Sequence, residues 1–140
     1  MNEERVALFD SALAQFNKKE FEAALIDFET VIAMEPAKYL SDTFSRFTPV
    51  FKAAQYNVAC CYAAVGQVAP GLEALEAAMG AGFEDYSKIR SDSNLAPLRS
   101  DKKAFDAVMR KYDEPIINEA AVKALKNLFL FGRKPDDDDE

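Results

Sequence analysis

Histidine and tryptophan are absent from this 140-residue sequence, and cysteine occurs only as the adjacent pair Cys60 and Cys61. Without histidine, the chain lacks the commonest general base and the usual partner of serine and cysteine nucleophiles. Two neighbouring cysteines do not make a tetrahedral zinc site, and no glycine-rich phosphate-binding motif is present. We therefore expect a protein that is not an enzyme and that holds no metal and no cofactor.

Long apolar runs and basic stretches are also missing. No run of about 18 apolar residues could cross a bilayer, and no segment is basic enough for a nucleic-acid footprint. The net charge is −7, from 17 basic and 24 acidic side chains, and Asp136–Glu140 carry five of the negative charges. The first ten residues resemble an acidic helix rather than a signal or transit peptide. We expect no nucleic-acid partner, no membrane insertion and a disordered acidic tail over 132–140.

The two thiols diverge by about 100° if residues 60 and 61 lie on a helix, so they cannot bond to each other. Free thiols suit a reducing compartment. For Cys60, two interpretations stay open: a small side chain that fills the core, or a redox-active thiol.

Glycine and proline are scarce, with 5 and 6 residues, and the composition favours helix throughout. The stretch Tyr56–Ala78 shows apolar residues at three- and four-residue intervals on both sides of Gly66 and Gln67. This pattern predicts two amphipathic helices joined by a tight turn. Such a hairpin cannot bury its own apolar face, so it needs flanking copies. The sequence therefore predicts an all-α fold.

Before this hairpin, the apolar spacing predicts helices over Asn2–Asn17 and Phe21–Met34. The first helix carries one apolar stripe: Val6, Phe9, Leu13 and Phe16. Residues 37–48 are too apolar for a free linker, and we expect them to fold back on the domain. Thr48 followed by Pro49 predicts an N-cap and the start of the next helix.

After the hairpin, the pattern predicts short helices. One short helix carries Phe83, Tyr86 and Ile89. The next apolar face consists of Leu95, Leu98, Phe105, Val108 and Met109. Asp92 and Asp101 are placed to cap helix starts. A final apolar helix over 114–131 should cover the exposed end of the stack.

An internal repeat of 47 residues aligns Phe21, Ala24, Phe28, Val31 and Pro36 with Val68, Gly71, Leu75, Ala78 and Phe83. A 34-residue tetratricopeptide unit with a 13-residue insertion has this period. The aligned positions resemble the tetratricopeptide-repeat (TPR) family. The resemblance implies a right-handed superhelix of antiparallel helix pairs closed by a C-terminal capping helix. It implies one domain over 1–131: repeat one 5–36, insertion 37–48, repeat two 49–82, a degenerate third repeat 83–112, and the capping helix 114–131.

In TPR arrays the first helix of each repeat lines the inner groove. That register places a partner-binding groove at Phe9, Leu13, Phe16, Asn17, Tyr56, Asn57 and Cys60. Such an apolar and aromatic lining suits a peptide or helix. The alternative is that the chain's own insertion or last helix covers it. TPR domains that hold chaperone C-termini use lysine and asparagine in this groove, and of these residues only Asn57 is present here. The alternative function is a co-chaperone adaptor that binds such C-termini.

A closer resemblance covers residues 5–131. The blocks YNVACCY and INEAAVKALKNLF, with the residues between them, look like the low-photosystem-II-accumulation family of chloroplast TPR proteins. The resemblance implies a scaffold for assembly or repair of photosystem II, binding a reaction-centre polypeptide or the machinery that inserts it. It also implies the stromal face of the thylakoid membrane, and a soluble fragment of a protein whose full-length form is membrane-anchored.

Overall fold

Every regular element in the described part of the chain is a helix, as the composition predicts. The computed structural model describes residues 2–35 and 47–113, together with residues 123, 124, 126 and 127. The α-helices are α1 (Asn2–Asn17), α2 (Phe21–Ala33), α3 (Pro49–Ala64), α4 (Val68–Gly80), α5 (Tyr86–Ser91), α6 (Ala96–Arg99) and α7 (Lys102–Arg110), and a 3₁₀-helix spans Ser93–Leu95.

Several sequence expectations fall outside these residues. They are the packing of 37–46, most of the capping helix 114–131 and the acidic tail 132–140. Residues 123, 124, 126 and 127 are helical and exposed. Among the described helices, none is long and apolar enough to cross a bilayer.

The four long helices form two hairpins that pack side by side. Helix α2 contacts both α1 and α3, and α3 in turn contacts α4. The same positions are fully buried in both hairpins at the 47-residue spacing: Ala12 and Ala59, Phe28 and Leu75, and Val31 and Ala78. The period read from the sequence is therefore a period of the core.

Both hairpins turn through the same backbone motif. Residues Lys19 and Gly66, which are 47 positions apart, lie in the left-handed region with φ of 65° and 80°. In each turn the N–H of this residue bonds the carbonyl three positions back, and the following N–H bonds the carbonyl five back, at 2.9–3.1 Å. This Schellman arrangement satisfies carbonyls that a helix end leaves without partners. The first hairpin thus ends α1 with a lysine where the second uses glycine.

The third part of the chain (residues 83–113, with α5, the 3₁₀-helix, α6 and α7) packs on the second hairpin through a close approach at Gly71. A Cβ atom at this position would lie 2.7 Å from Leu98 Cδ2, on helix α6. The first repeat has Ala24 at the equivalent position. The glycine that departs from the repeat pattern is therefore explained by the contact with Leu98.

The predicted caps are confirmed. Thr48 Oγ1 accepts a hydrogen bond from Phe51 N, Asp92 accepts from Asn94 N, and Asp101 accepts from Ala104 N. Each side chain satisfies a backbone donor that the first turn of a helix leaves free. A fourth cap, Asp85 on Lys88 N, was not anticipated from the sequence.

Three details of the sequence interpretation were wrong. Phe83 lies before α5 rather than within it, and α2 ends at Ala33, one residue early. Val6 is 37% exposed, so it does not belong to the buried stripe of α1. Arg5, at 5% exposure, is buried in its place. At the start of α1 the side chain that faces the core is therefore Arg5 and not Val6.

Arg5 joins three helices at one end of the stack. Its Nη1 lies 2.6 Å from Glu35 Oε1, and the two side chains are only 6% and 3% exposed. The same carboxylate accepts hydrogen bonds from Thr48 N and Thr48 Oγ1, both at 2.8 Å. Glu35 therefore connects the start of α1, the end of α2 and the N-cap of α3. A buried carboxylate needs this number of partners to offset the cost of its desolvation.

Substituting Arg5→Met should destabilise the domain strongly. Removal of one member of a buried ion pair leaves the other charged and unpaired, at a cost of about 3–5 kcal/mol. Urea unfolding at pH 7 measures it. Lys102→Met is the matched control, because Lys102 pairs with Asp106 at 2.7 Å while 85% exposed and should leave the midpoint almost unchanged. Equal midpoints for the two variants would contradict the structural role of Arg5.

Candidate functional site

An open cleft of about 380 Å³ lies where the two hairpins meet the third part of the chain. We call it the hairpin cleft. Its lining residues come from the end of α1 and the following turn, the ends of α2 and α3 nearest that turn, and the segment around the 3₁₀-helix: Phe16, Asn17, Lys19, Phe21, Ala64, Ser93, Asn94 and Pro97. No acidic side chain is among them.

The lining combines aromatic surface with neutral hydrogen-bonding groups. Phe16 and Phe21 meet edge to face, with ring centroids 5.1 Å apart and planes at 69°, and both are half-buried. Asn17, Ser93 and Asn94 carry amide and hydroxyl groups that can donate and accept. Aromatic faces beside a few polar groups are typical of sites that bind peptides or small molecules.

The wall formed by the 3₁₀-helix is held in place by Tyr56. Tyr56 Oη donates a hydrogen bond to Asp92 Oδ2 at 2.5 Å, and Asp92 Oδ1 accepts from Asn94 N at 2.9 Å. The Tyr56 ring stacks on Phe83, with centroids 4.6 Å apart, and Lys88 Nζ lies 5.6 Å from the ring centroid. Asp92 thus connects the core helix α3 to the cleft wall at Asn94.

The predicted groove residues fall into three groups. Phe16 and Asn17 line the hairpin cleft. Phe9 and Leu13 are half-buried against the core, Phe9 edge to face with Phe28 at 5.5 Å. Tyr56 and Cys60 are buried, with 4% and 1% exposure. The prediction that all seven line one groove stays a prediction.

Asn57, the seventh predicted residue, is half-buried, and its side-chain amide is hydrogen-bonded within its own helix. Its Nδ2 donates to the carbonyl of Ala53 at 2.9 Å. The amide nitrogen therefore has an intramolecular partner. The bond leaves the side-chain oxygen as the group available to a ligand.

Both thiols are in the core. Burial raises the pKa of Cys60 well above its ordinary value, and the charge of Asp92 adds to the shift while Lys88 opposes it. Burial and the charge of Glu29 raise the pKa of Cys61 to about 12. A thiol of this kind is protonated at neutral pH and is a poor nucleophile. These environments favour the core-filling interpretation of Cys60.

Several lining residues were missed by the sequence analysis. Lys19, Phe21, Ser93, Asn94 and Pro97 were not assigned to the site, because the groove was placed by the TPR register on first helices alone. The 47-residue repeat contains one signal for Lys19, because it aligns this lysine with Gly66 in the turn of the second hairpin. Among the described residues, no group of three or more histidine, cysteine or acidic side chains could hold a metal ion.

The chain is similar to a chloroplastic protein of Arabidopsis thaliana. The two are 42% identical over 121 residues, which cover 86% of this chain. The chain spans about a third (33%) of the length of that protein. No family model matches the chain, and no solved structure matches it.

The buried thiols should make the domain less stable in alkali. The unfolded chain releases thiol protons above about pH 9, whereas burial raises the pKa of both thiols in the folded chain. Above about pH 9 the unfolding free energy should therefore fall by about 1.4 kcal/mol per pH unit for each thiol that stays protonated in the folded state. Urea titrations between pH 7 and 10 test this. Cys60→Ala/Cys61→Ala should show a flatter profile, and a profile identical to the wild type would refute the assignment.

Substituting Tyr56→Phe should cost about 1–2 kcal/mol, because Asp92 loses a hydrogen bond inside the structure while the ring stack on Phe83 is kept. Tyr62→Phe is the control, since Tyr62 Oη reaches Glu29 only at 3.4 Å on the surface. Urea unfolding at pH 7 compares the two. If Tyr56→Phe were as mild as the control, the hydroxyl would not be what holds Asp92.

Proposed function

We propose that this chain is a TPR-type protein-interaction scaffold of the chloroplast that acts in the assembly or repair of photosystem II. The observation that carries the proposal is the 42% identity to a chloroplastic protein over 86% of the chain. In this proposal the two hairpins are the first two repeats of a right-handed superhelix, and residues 114–131 form its capping helix.

The architecture of the described residues supports a binding role. Two hairpins with equivalent buried positions and equivalent turns stack side by side, as the units of a repeat array do. Stacking of this kind leaves an open surface between repeats, and the hairpin cleft lies there. We propose that the domain works by binding and not by catalysis, since the buried thiols are protonated and histidine is absent.

The proposed partner is a reaction-centre polypeptide of photosystem II or the machinery that inserts it, at the stromal face of the thylakoid membrane. This part rests on the family resemblance of the YNVACCY and INEAAVKALKNLF blocks. The alternative is a co-chaperone adaptor. For that role the groove offers Asn57, whose amide nitrogen already bonds Ala53, and Phe9 and Leu13 stand where such adaptors have lysine and asparagine.

A fluorescence anisotropy titration should show saturable binding to stroma-facing segments of the reaction-centre polypeptide. An acidic chaperone C-terminal peptide, titrated in parallel, should bind more weakly, because Phe9 and Leu13 stand where adaptors have lysine and asparagine. Phe16→Ala should weaken the reaction-centre interaction about tenfold, because an aromatic side chain in a cleft carries a large share of binding energy.

Ile26→Ala is the control for this titration, since Ile26 is 63% exposed and outside the cleft. Thermal melts show whether each variant is folded. Binding to the chaperone peptide alone would establish the adaptor alternative. Binding to neither ligand by the wild-type domain would contradict the proposed function.

A further inference from the structure

Lys19 occupies a backbone conformation that is unfavourable for a lysine. Its φ of 65° lies in the left-handed region, and the equivalent turn of the second hairpin uses Gly66 at 80°. A side chain with a Cβ atom is destabilised in this region, whereas glycine is not. The turn needs only the left-handed conformation, which glycine would supply at lower cost. The turn geometry alone therefore does not account for a lysine at this position.

The side chain of Lys19 lines the hairpin cleft and has no ion-pair partner among the described residues. It is the cation of a lining that is otherwise neutral, in a chain of net charge −7. Strained non-glycine residues cluster at ligand-binding sites, where surrounding structure maintains them. Here strain, position and charge coincide at one residue.

We propose that the hairpin cleft binds an acidic segment of a partner protein, with Lys19 pairing to a carboxylate. The edge-to-face pair of Phe16 and Phe21 contacts an apolar side chain next to that carboxylate. The amides of Asn17 and Asn94 bond the extended backbone of the segment. This inference rests on the proposed function, because it names the chemistry of the partner at the same surface.

Charge argues for a protein segment rather than a nucleic acid. Nucleic-acid binding requires several cations that each neutralise a phosphate. The cleft lining offers one. A single carboxylate beside an aromatic residue matches both the charge and the apolar area of the cleft.

The test uses the full chain and two fluorescein-labelled ten-residue peptides. One carries a phenylalanine flanked by three glutamates, and the other has glutamine at the glutamate positions. Anisotropy at 50 mM salt should show the acidic peptide binding more tightly. Lys19→Gly should weaken its binding about twofold to fivefold, as loss of one exposed ion pair predicts. Binding of the glutamine peptide should be unchanged.

Stability separates this effect from damage to the fold. Lys19→Gly should raise the melting temperature by about 2–4 °C, because it removes backbone strain. Gly66→Lys should lower it by a similar amount, since a Cβ atom at position 66 meets nothing within 4 Å and only the backbone is penalised. Lys18→Ala removes a neighbouring cation that does not line the cleft, and should change neither quantity appreciably.

A Lys19→Gly variant that binds the acidic peptide like the wild type would overturn the inference. Equal affinity of the wild type for both peptides, or no binding to the acidic one, would do so as well. The proposed function is judged separately, by wild-type binding to reaction-centre segments. That binding can persist at another surface when the acidic-segment inference fails.

Discussion

Burial of helix α3 on several sides is the constraint on which the rest of the structure depends. It contacts α1, α2, α4, α6 and the 3₁₀-helix. Small side chains allow neighbours to approach this closely, and most of the buried positions of α3 are small: Ala54, Ala59, Cys60, Cys61 and Ala63. Close-packed interiors gain dispersion energy that a looser arrangement would lose. A helix buried in this way fixes the positions of both hairpins and of the third part of the chain.

Such burial requires that polar groups near α3 find partners inside the protein, and they do so at two places. At its N-terminal end, Thr48 meets the Arg5–Glu35 ion pair. Further along, Tyr56 donates to Asp92. Each cluster joins elements distant in sequence, because unpaired buried polar groups cost more than paired ones contribute. The first cluster aligns the hairpins, and the second positions the wall of the hairpin cleft.

Local signals in the sequence predicted the helices and their caps well. Apolar spacing, Thr48–Pro49 and the aspartates at 92 and 101 act within one or two turns, so short windows of sequence contain them. The Arg5–Glu35 pair and the bond from Tyr56 to Asp92 span 30 and 36 positions, and no local pattern announces them. Tyr56 illustrates the consequence: its helix was predicted correctly, whereas its burial depends on where the third part of the chain folds.

The same reasoning explains why the predicted groove and the lining of the hairpin cleft overlap only in part. The repeat register places residues on first helices, and two of these, Phe16 and Asn17, line the hairpin cleft. The other wall comes from Ser93, Asn94 and Pro97, in a segment that departs from the repeat. In a regular array a full third repeat would present a helix there. Among the described residues, short helices lie there instead, while Phe83 stacks on Tyr56 and Asp92 accepts its hydrogen bond. Among the described residues the open cleft therefore lies at the ends of these helices, next to Lys19.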